Sequence, residues 1–398
     1  MMSWSLLLWA LGAVALSAAL MKHWAPTPTM DPSTAACFAN DYYEARALFR
    51  ARAAAADAEL YTLPLPGANA ELTIDVAVLR GADPTALLVH LSGTHGVEGF
   101  AGSAIQAKLL GDASTSLTSG PTVVFVHAVN PFGFAKLRRV NEANVDLNRN
   151  YLTPEAFAAK RASDPNAVGY TSLSPALNPR HAAHWADTSF LPALLTHALR
   201  HGFESVKRAI VSGTYHEPQG IFFGGHELQA SHRLLTAFFQ SHFTNVSRIA
   251  MLDVHTGLGP RGYDTVQVTS PSLTVTPAML KTLFPDHDAI SDSNADATAL
   301  SGYGDAGGFA VDGYLSLFAE APVRLGVTQE FGTKNMIDVL LSLRQENAAT
   351  HHAPETRLEA ANALRNAFYV HWDGAWKSAV LHRGVTLFHQ LRTKLSDV

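Results

Sequence analysis

The sequence predicts an α/β domain built around a largely buried sheet. Short apolar, β-branched runs alternate with stretches of helical periodicity along most of the chain. The polar residues that break this pattern fall where the apolar runs end, which is where open α/β sheets bind ligands. A chain of 398 residues, 47% hydrophobic, is long enough to bury a large core.

The N-terminus comes first. Leu6 to Met21 carries no charge and is followed by Lys22, His23 and Pro26. The run is short for a membrane span of about 20 residues and suits the apolar core of a signal peptide. Ser17-Ala18-Ala19 offers small residues for cleavage after Ala19. No Lys or Arg precedes the run, so an uncleaved anchor over residues 4–21 is the second reading. Both readings send the chain into the secretory route, secreted or membrane-anchored. Residues 22–36, with Pro26, Pro28 and Pro32, read as a linker, and 37–398 as the remaining domain. Cys37 is the only cysteine, so no intramolecular disulfide can form, and no neighbouring base would activate its thiol.

Candidate strands are Ala86–Leu91, Thr122–Val129, Ala209–Ser212, Arg248–Val254, Thr265–Thr269 and Val323–Gln329. Helical periodicity runs over Ala101–Leu110, Leu191–Arg208, Leu228–Phe243, Thr276–Leu283 and Met336–Leu343. Glu355–Leu395 reads as covering helices. Charged residues make up 16% and the formal net charge is −5, without the basic stripes that nucleic-acid binding needs. No Gly-x-Ser-x-Gly elbow is present, which argues against a serine hydrolase.

Four strand ends carry chemistry. ALLVHL leads into Ser92-Gly93-Thr94-His95-Gly96-Val97-Glu98, TVVFVHAV into Asn130-Pro131, RIAMLDV into His255, and VRLGVTQ into Glu330. Zinc takes imidazole nitrogens and carboxylate oxygens, so His95 and Glu98 could ligate from one tight loop, with His255 as a third ligand. The His-x-x-Glu spacing also occurs at His201/Glu204 and His352/Glu355. Neither of those follows a strand, and only the first is flanked by Gly93, Gly96 and Gly99. Between the ligand candidates lie Asn130-Pro131-Phe132-Gly133, then Arg138-Arg139, then Asp146-Leu147-Asn148-Arg149. An Arg fork beside an Asn donor matches a carboxylate.

In this order the motifs resemble those of the zinc carboxypeptidase superfamily, which also contains the aspartoacylase and succinylglutamate desuccinylase branch. SGTHGVEGFAGS, NPFGFAKLRRVNEANVDLNRNY and DVHTGLGP look closest to an uncharacterised bacterial-type branch. The resemblance implies a single domain with a mixed, mostly parallel twisted sheet and helices on both faces. It implies Zn²⁺ on His95, Glu98 and His255, and Glu330 as the general base. Arg138 or Arg139 would stabilise an oxyanion, Asn148 and Arg149 would hold a substrate carboxylate, and Asp146 would orient His95. The familiar digestive enzymes have Arg where Val97 stands, and their catalytic tyrosine has only Tyr263 and Tyr303 as candidates here. The implied activity is hydrolysis of an amide next to a free carboxylate. An N-acyl amino acid deacylase and a catalytically silent binding protein are the competing readings. Whether the Ser212–Glu227 segment, with His216 and Glu217, narrows the cleft discriminates between a peptide and a smaller substrate.

Overall fold

The computed structural model describes residues 30–67, 69–112, 119–184, 187–272, 275–291 and 307–397. The apolar run Leu6–Met21 and Tyr303 lie outside the described residues. Among the described residues eight strands form one sheet: β1 (Glu59–Pro64), β2 (Thr73–Leu79), β3 (Asp83–Ser92), β4 (Pro121–His127), β5 (Arg248–Arg261), β6 (Asp264–Thr269), β7 (Asp288–Ser291) and β8 (Val323–Gly332). Their order is β1-β2-β4-β3-β5-β8-β6-β7. The centre, β4-β3-β5-β8, is parallel. β1 and β2 join it antiparallel on one side. On the other side β6 runs antiparallel to β8, with β7 parallel to β6. The sheet is therefore mixed with a mostly parallel core.

The central strands read as continuous apolar runs because both faces are covered. Successive side chains alternate: Leu88 packs into one core with Phe49, Ile105, Leu252 and Phe388. Leu87 and Val89 point into the other, with Met251, Leu235 and Phe239. The first layer is formed by helices α1 (Tyr42–Ala55), α2 (Gly99–Gly111) and α8 (Gly374–Asp397), and the second by α4 (Ala230–His242) and α5 (Ala310–Ser316). The short α3 (Pro131–Lys136) follows β4, and α6 (Met336–His351) and α7 (Arg357–Phe368) build a third apolar cluster beside the site. Trimming one fully buried side chain such as Leu88 to Ala costs about 2–5 kcal/mol.

Two expectations are corrected. Ala209–Ser212 is not a strand: Ala209–Val211 end the helix Phe203–Val211. A short apolar run cannot be told from a buried helix segment by periodicity alone, and here the helical pattern upstream continues through it. Leu191–Arg208 is not one helix, because Gly202, at φ 88°, separates Leu191–His201 from Phe203–Val211. β1, β2, β7 and α1 add to the expected elements. Asp75 interrupts the apolar run of β2, and it is buried there because Arg46 and Arg50 of α1 reach it at 2.8 and 3.0 Å.

No helix among the described residues is long and apolar enough to cross a membrane.

Candidate metal centre and its cavity

The site begins where β3 ends. His95 leaves the strand and Gly96–Glu98 makes a single 3₁₀ turn, after which α2 starts. Gly96 is required by close approach: a Cβ there would lie 2.0 Å from the Gly133 carbonyl carbon. The backbone N–H groups of Gly96 and Val97 donate to the carbonyls of Arg139 and Arg138 at 3.2 and 2.9 Å. Asn130 caps α3 by accepting from the Gly133 N–H at 2.8 Å. The Asn-Pro-Phe-Gly segment thus positions both the ligand loop and the arginines that follow.

His255 lies on β5, in register with Glu330 on β8. His95 Nδ1 is 2.9 Å from Glu98 Oε1, and His255 Nδ1 is 3.1 Å from both His95 Nδ1 and Glu98 Oε2. All three side chains are buried, with their ligand atoms within 4.8 Å of one another. The outer nitrogens are held as well. His95 Nε2 meets Asp146 Oδ1 at 2.9 Å, and His255 Nε2 meets Asp253 Oδ2 at 3.0 Å. Asp253 is itself fixed by the Thr94 hydroxyl, which donates to both its oxygens at 3.0 and 2.9 Å.

Ionised carboxylates only accept, so each Nε2 carries the proton and each Nδ1 turns a lone pair inward. Two such nitrogens 3.1 Å apart beside a carboxylate demand positive charge among them, carried by a metal ion or, without one, by a proton on His255. Burial pulls the His255 imidazolium down, yet Asp253 and Glu98 overcome it and hold its pKa well above the usual value. Burial pushes the Glu98 carboxyl up, but His95 and His255 hold it far below the usual range. Asp146 is likewise held low against its burial by Arg139 and His95. Two imidazole nitrogens and a carboxylate beside a cavity are a donor set that fits a catalytic divalent metal such as zinc.

The cavity has a volume of about 300 Å³. Glu330 lines it next to the ligands, with Oε1 accepting from the Leu258 N–H at 3.0 Å. Burial, reinforced by the nearby Glu98 charge, pushes the Glu330 carboxyl up to about 7. Arg139 lines the cavity too. It donates to Asp146, lies 3.7 Å from Glu98 Oε1 and packs over the Phe222 ring at 4.6 Å. Arg138 faces elsewhere, bonding Glu346 and Asn144 at 2.8 Å each. Asn148 and Arg149 both line the cavity. The Asn148 side-chain oxygen accepts from the Ala310 N–H at 3.0 Å. The Arg149 guanidinium donates to the Val211 carbonyl at 3.0 and 2.8 Å and to the Asn148 carbonyl at 2.7 Å.

Other candidates lie apart. Tyr263 is 61% exposed, under Arg383. His216 bonds the Arg161 carbonyl and Glu217 bonds Ser174, while Phe222 of the same segment lines the cavity. His201, Glu204 and Glu355 sit at the surface. The carboxylate Asp253 was legible as a partner of His255, two residues earlier on one strand face. Phe222 and Asp312, which come from a loop and a short helix, carried no such signal.

The chain belongs to the family described as "Protein of unknown function (DUF2817)", whose model matches residues 38–383. No curated protein matches. Among solved structures, the carboxypeptidase A from Helicoverpa armigera is 12% identical, with 81% of this chain and 74% of that chain covered and a TM-score of 0.43. Bovine thrombin-activatable fibrinolysis inhibitor, in complex with tick carboxypeptidase inhibitor, is 11% identical over 83% of this chain and 98% of that one, at 0.43. A metallo-carboxypeptidase from Burkholderia cenocepacia is 14% identical over 80% of this chain and 67% of that one, at 0.39.

Proposed function

We propose that this protein is a zinc-dependent hydrolase of the metallocarboxypeptidase type, cleaving an amide bond next to a free carboxylate. The observation that carries the reading is the convergence of His95 Nδ1, Glu98 and His255 Nδ1, each imidazole locked by its own carboxylate, beside Glu330 at the cavity wall. A divalent metal held by these three residues supplies a Lewis acid that acidifies water and polarises a carbonyl.

The chain's own groups do the rest. Glu330, at about 7, is poised to take a proton from water near neutrality and deliver it to the leaving nitrogen. Arg139, held by Asp146 and stacked on Phe222, offers N–H groups and fixed positive charge to an oxyanion forming at the ligand end. Arg149 is anchored through Val211 and Asn148, which fixes its positive charge at the cavity wall for the substrate carboxylate, with Asn148 alongside. Asp146 and Asp253 keep the two imidazoles in one tautomer and orientation.

A second reading, deacylation of small N-acyl amino acids, is favoured by the cavity itself. At about 300 Å³, with Val211 and Phe222 in its wall, it sits at the small end of ligand pockets.

The test is hydrolysis by zinc-loaded protein of N-acylated dipeptides and N-acyl amino acids, each as free acid and as terminal amide. Free acids turn over and amides do not. Stoichiometric zinc with no turnover of any free acid would contradict the reading.

A further inference from the structure

The helix Leu191–His201 is apolar on two faces, and the fold uses one. Leu191 and Leu194 pack against the third apolar cluster, which also holds Leu340 and Leu343 of α6. Leu195 and Leu199, four residues apart and so on one stripe, face solvent, Leu199 with 77% of its surface exposed. Gly202, at φ 88°, then turns the chain, and Phe203 opens the next helix 74% exposed. A helix needs a single apolar stripe to dock on a core, so the second stripe is surplus to the fold.

The stripe runs to the rim of the cavity. Lys207 and Ile210, one and two turns along from Phe203, line the cavity wall. Met336 of α6 lines the same cavity while 56% of it is exposed, and Ile337 beside it is exposed too. Lys334, two residues earlier, lies over the ring of the exposed Trp372 at 5.8 Å. Apolar and basic side chains are thus mixed at the mouth.

Charge decides the occupant. Between Leu191 and Val211 the chain carries Arg200, Lys207 and Arg208 against Glu204 alone, within a protein of net charge −5. A second copy docked about a two-fold axis would bring these cations onto themselves. The exposed apolar residues also fall well short of the roughly 20–30 residues and about 800 Å² a side that a stable dimer buries. A bilayer surface asks for less. A few apolar side chains sink to the headgroup boundary, while neighbouring Lys and Arg keep their heads among anionic headgroups.

We propose that this rim is a membrane-docking surface, which seats Leu195, Leu199 and Phe203 in an anionic phospholipid bilayer and turns the cavity mouth towards the lipid. Docking needs neither metal nor turnover, so it stands or falls apart from the hydrolase reading.

Cys37 is buried, so Leu199→Cys in the full chain gives one accessible thiol for a polarity-sensitive dye. The control is Leu358→Cys, since Leu358 is 76% exposed at the end of α7 away from the cavity-lining Phe368. Each labelled protein is titrated with vesicles of phosphatidylcholine, and of phosphatidylcholine mixed equally with phosphatidylserine. With the anionic vesicles the dye at 199 should shift to the blue and brighten, and the dye at 358 should stay in water. Phe203→Ser should lower the apparent affinity about tenfold, and Arg200→Gln with Arg208→Gln about 30-fold. No shift at 199, the same shift at 358, or an equal response to neutral vesicles would overturn the proposal. So would a blue shift that grows with protein concentration without lipid, which would give this face to a second copy.

Discussion

Two pairs of buried histidines sit on the central strands, and their surroundings give them opposite chemistry. His95 follows the end of β3 and His255 lies on β5, whereas His90 lies within β3 and His127 is the last residue of β4. In the first pair each Nε2 meets a carboxylate. In the second the partners are neutral. The Gln106 amide donates to His90 Nδ1 at 3.2 Å, and the Ser103 hydroxyl lies 3.0 Å from His127 Nε2. The rings pack near Phe125 and Phe49. Burial pulls His90 down to about 4 and His127 to about 3. Burial alone makes a neutral core histidine. Burial with a carboxylate behind each ring and a third carboxylate in front makes a cation site.

The sharpest way to break this contrast is to change one group in each region. Glu330→Gln keeps shape and metal but cannot accept a proton, so kcat falls about 10²–10⁴-fold. His127→Leu leaves metal content in place, since that ring touches no ligand. A Glu330→Gln protein with near-normal kcat would move the base elsewhere.

The second test concerns acid stability. A histidine free in the unfolded chain binds a proton below about 6.5, whereas in the folded protein His90 and His127 do so only below about 4 and about 3. The unfolded state binds more protons across that window, so their contribution to stability is present above pH 6.5 and is lost as pH falls. Denaturant unfolding at pH 6.5 and pH 4 should show about 5 kcal/mol of loss from this pair, and His127→Leu should flatten the slope. An unchanged slope would mean the ring is not buried neutral.

The smallest effect is expected from the partner of a ligand. Asp253→Asn retains the shape but weakens the acceptor behind His255, which should reduce zinc affinity about 10–100-fold in chelator competition. Affinity equal to wild type would show that Thr94 and Asp253 serve packing only.

Much of this site was legible because apolar strands frame their polar exceptions. His95, Glu98, His255 and Glu330 each follow or end an apolar, β-branched run that reads as a buried strand, and the sheet then brings those segments together. Asp146 lies behind His95, where the resemblance to zinc carboxypeptidases puts it. Sequence could not choose between Arg138 and Arg139. Adjacent residues share every composition signal, and the turn after α3 decides which faces the cavity. Phe222 and Asp312 were invisible for a related reason. Their places depend on how a loop and a seven-residue helix pack against the sheet, not on a local pattern.

The central claim is that His95, Glu98 and His255 hold a metal while His90 and His127 do not. Elemental analysis of purified chains loaded with zinc and freed of excess tests it directly. The account predicts about one zinc per chain in the wild type and in His127→Leu, and loss in His95→Ala and His255→Ala, because two protein ligands are too few for a catalytic site. Undiminished zinc in both alanine variants would contradict it.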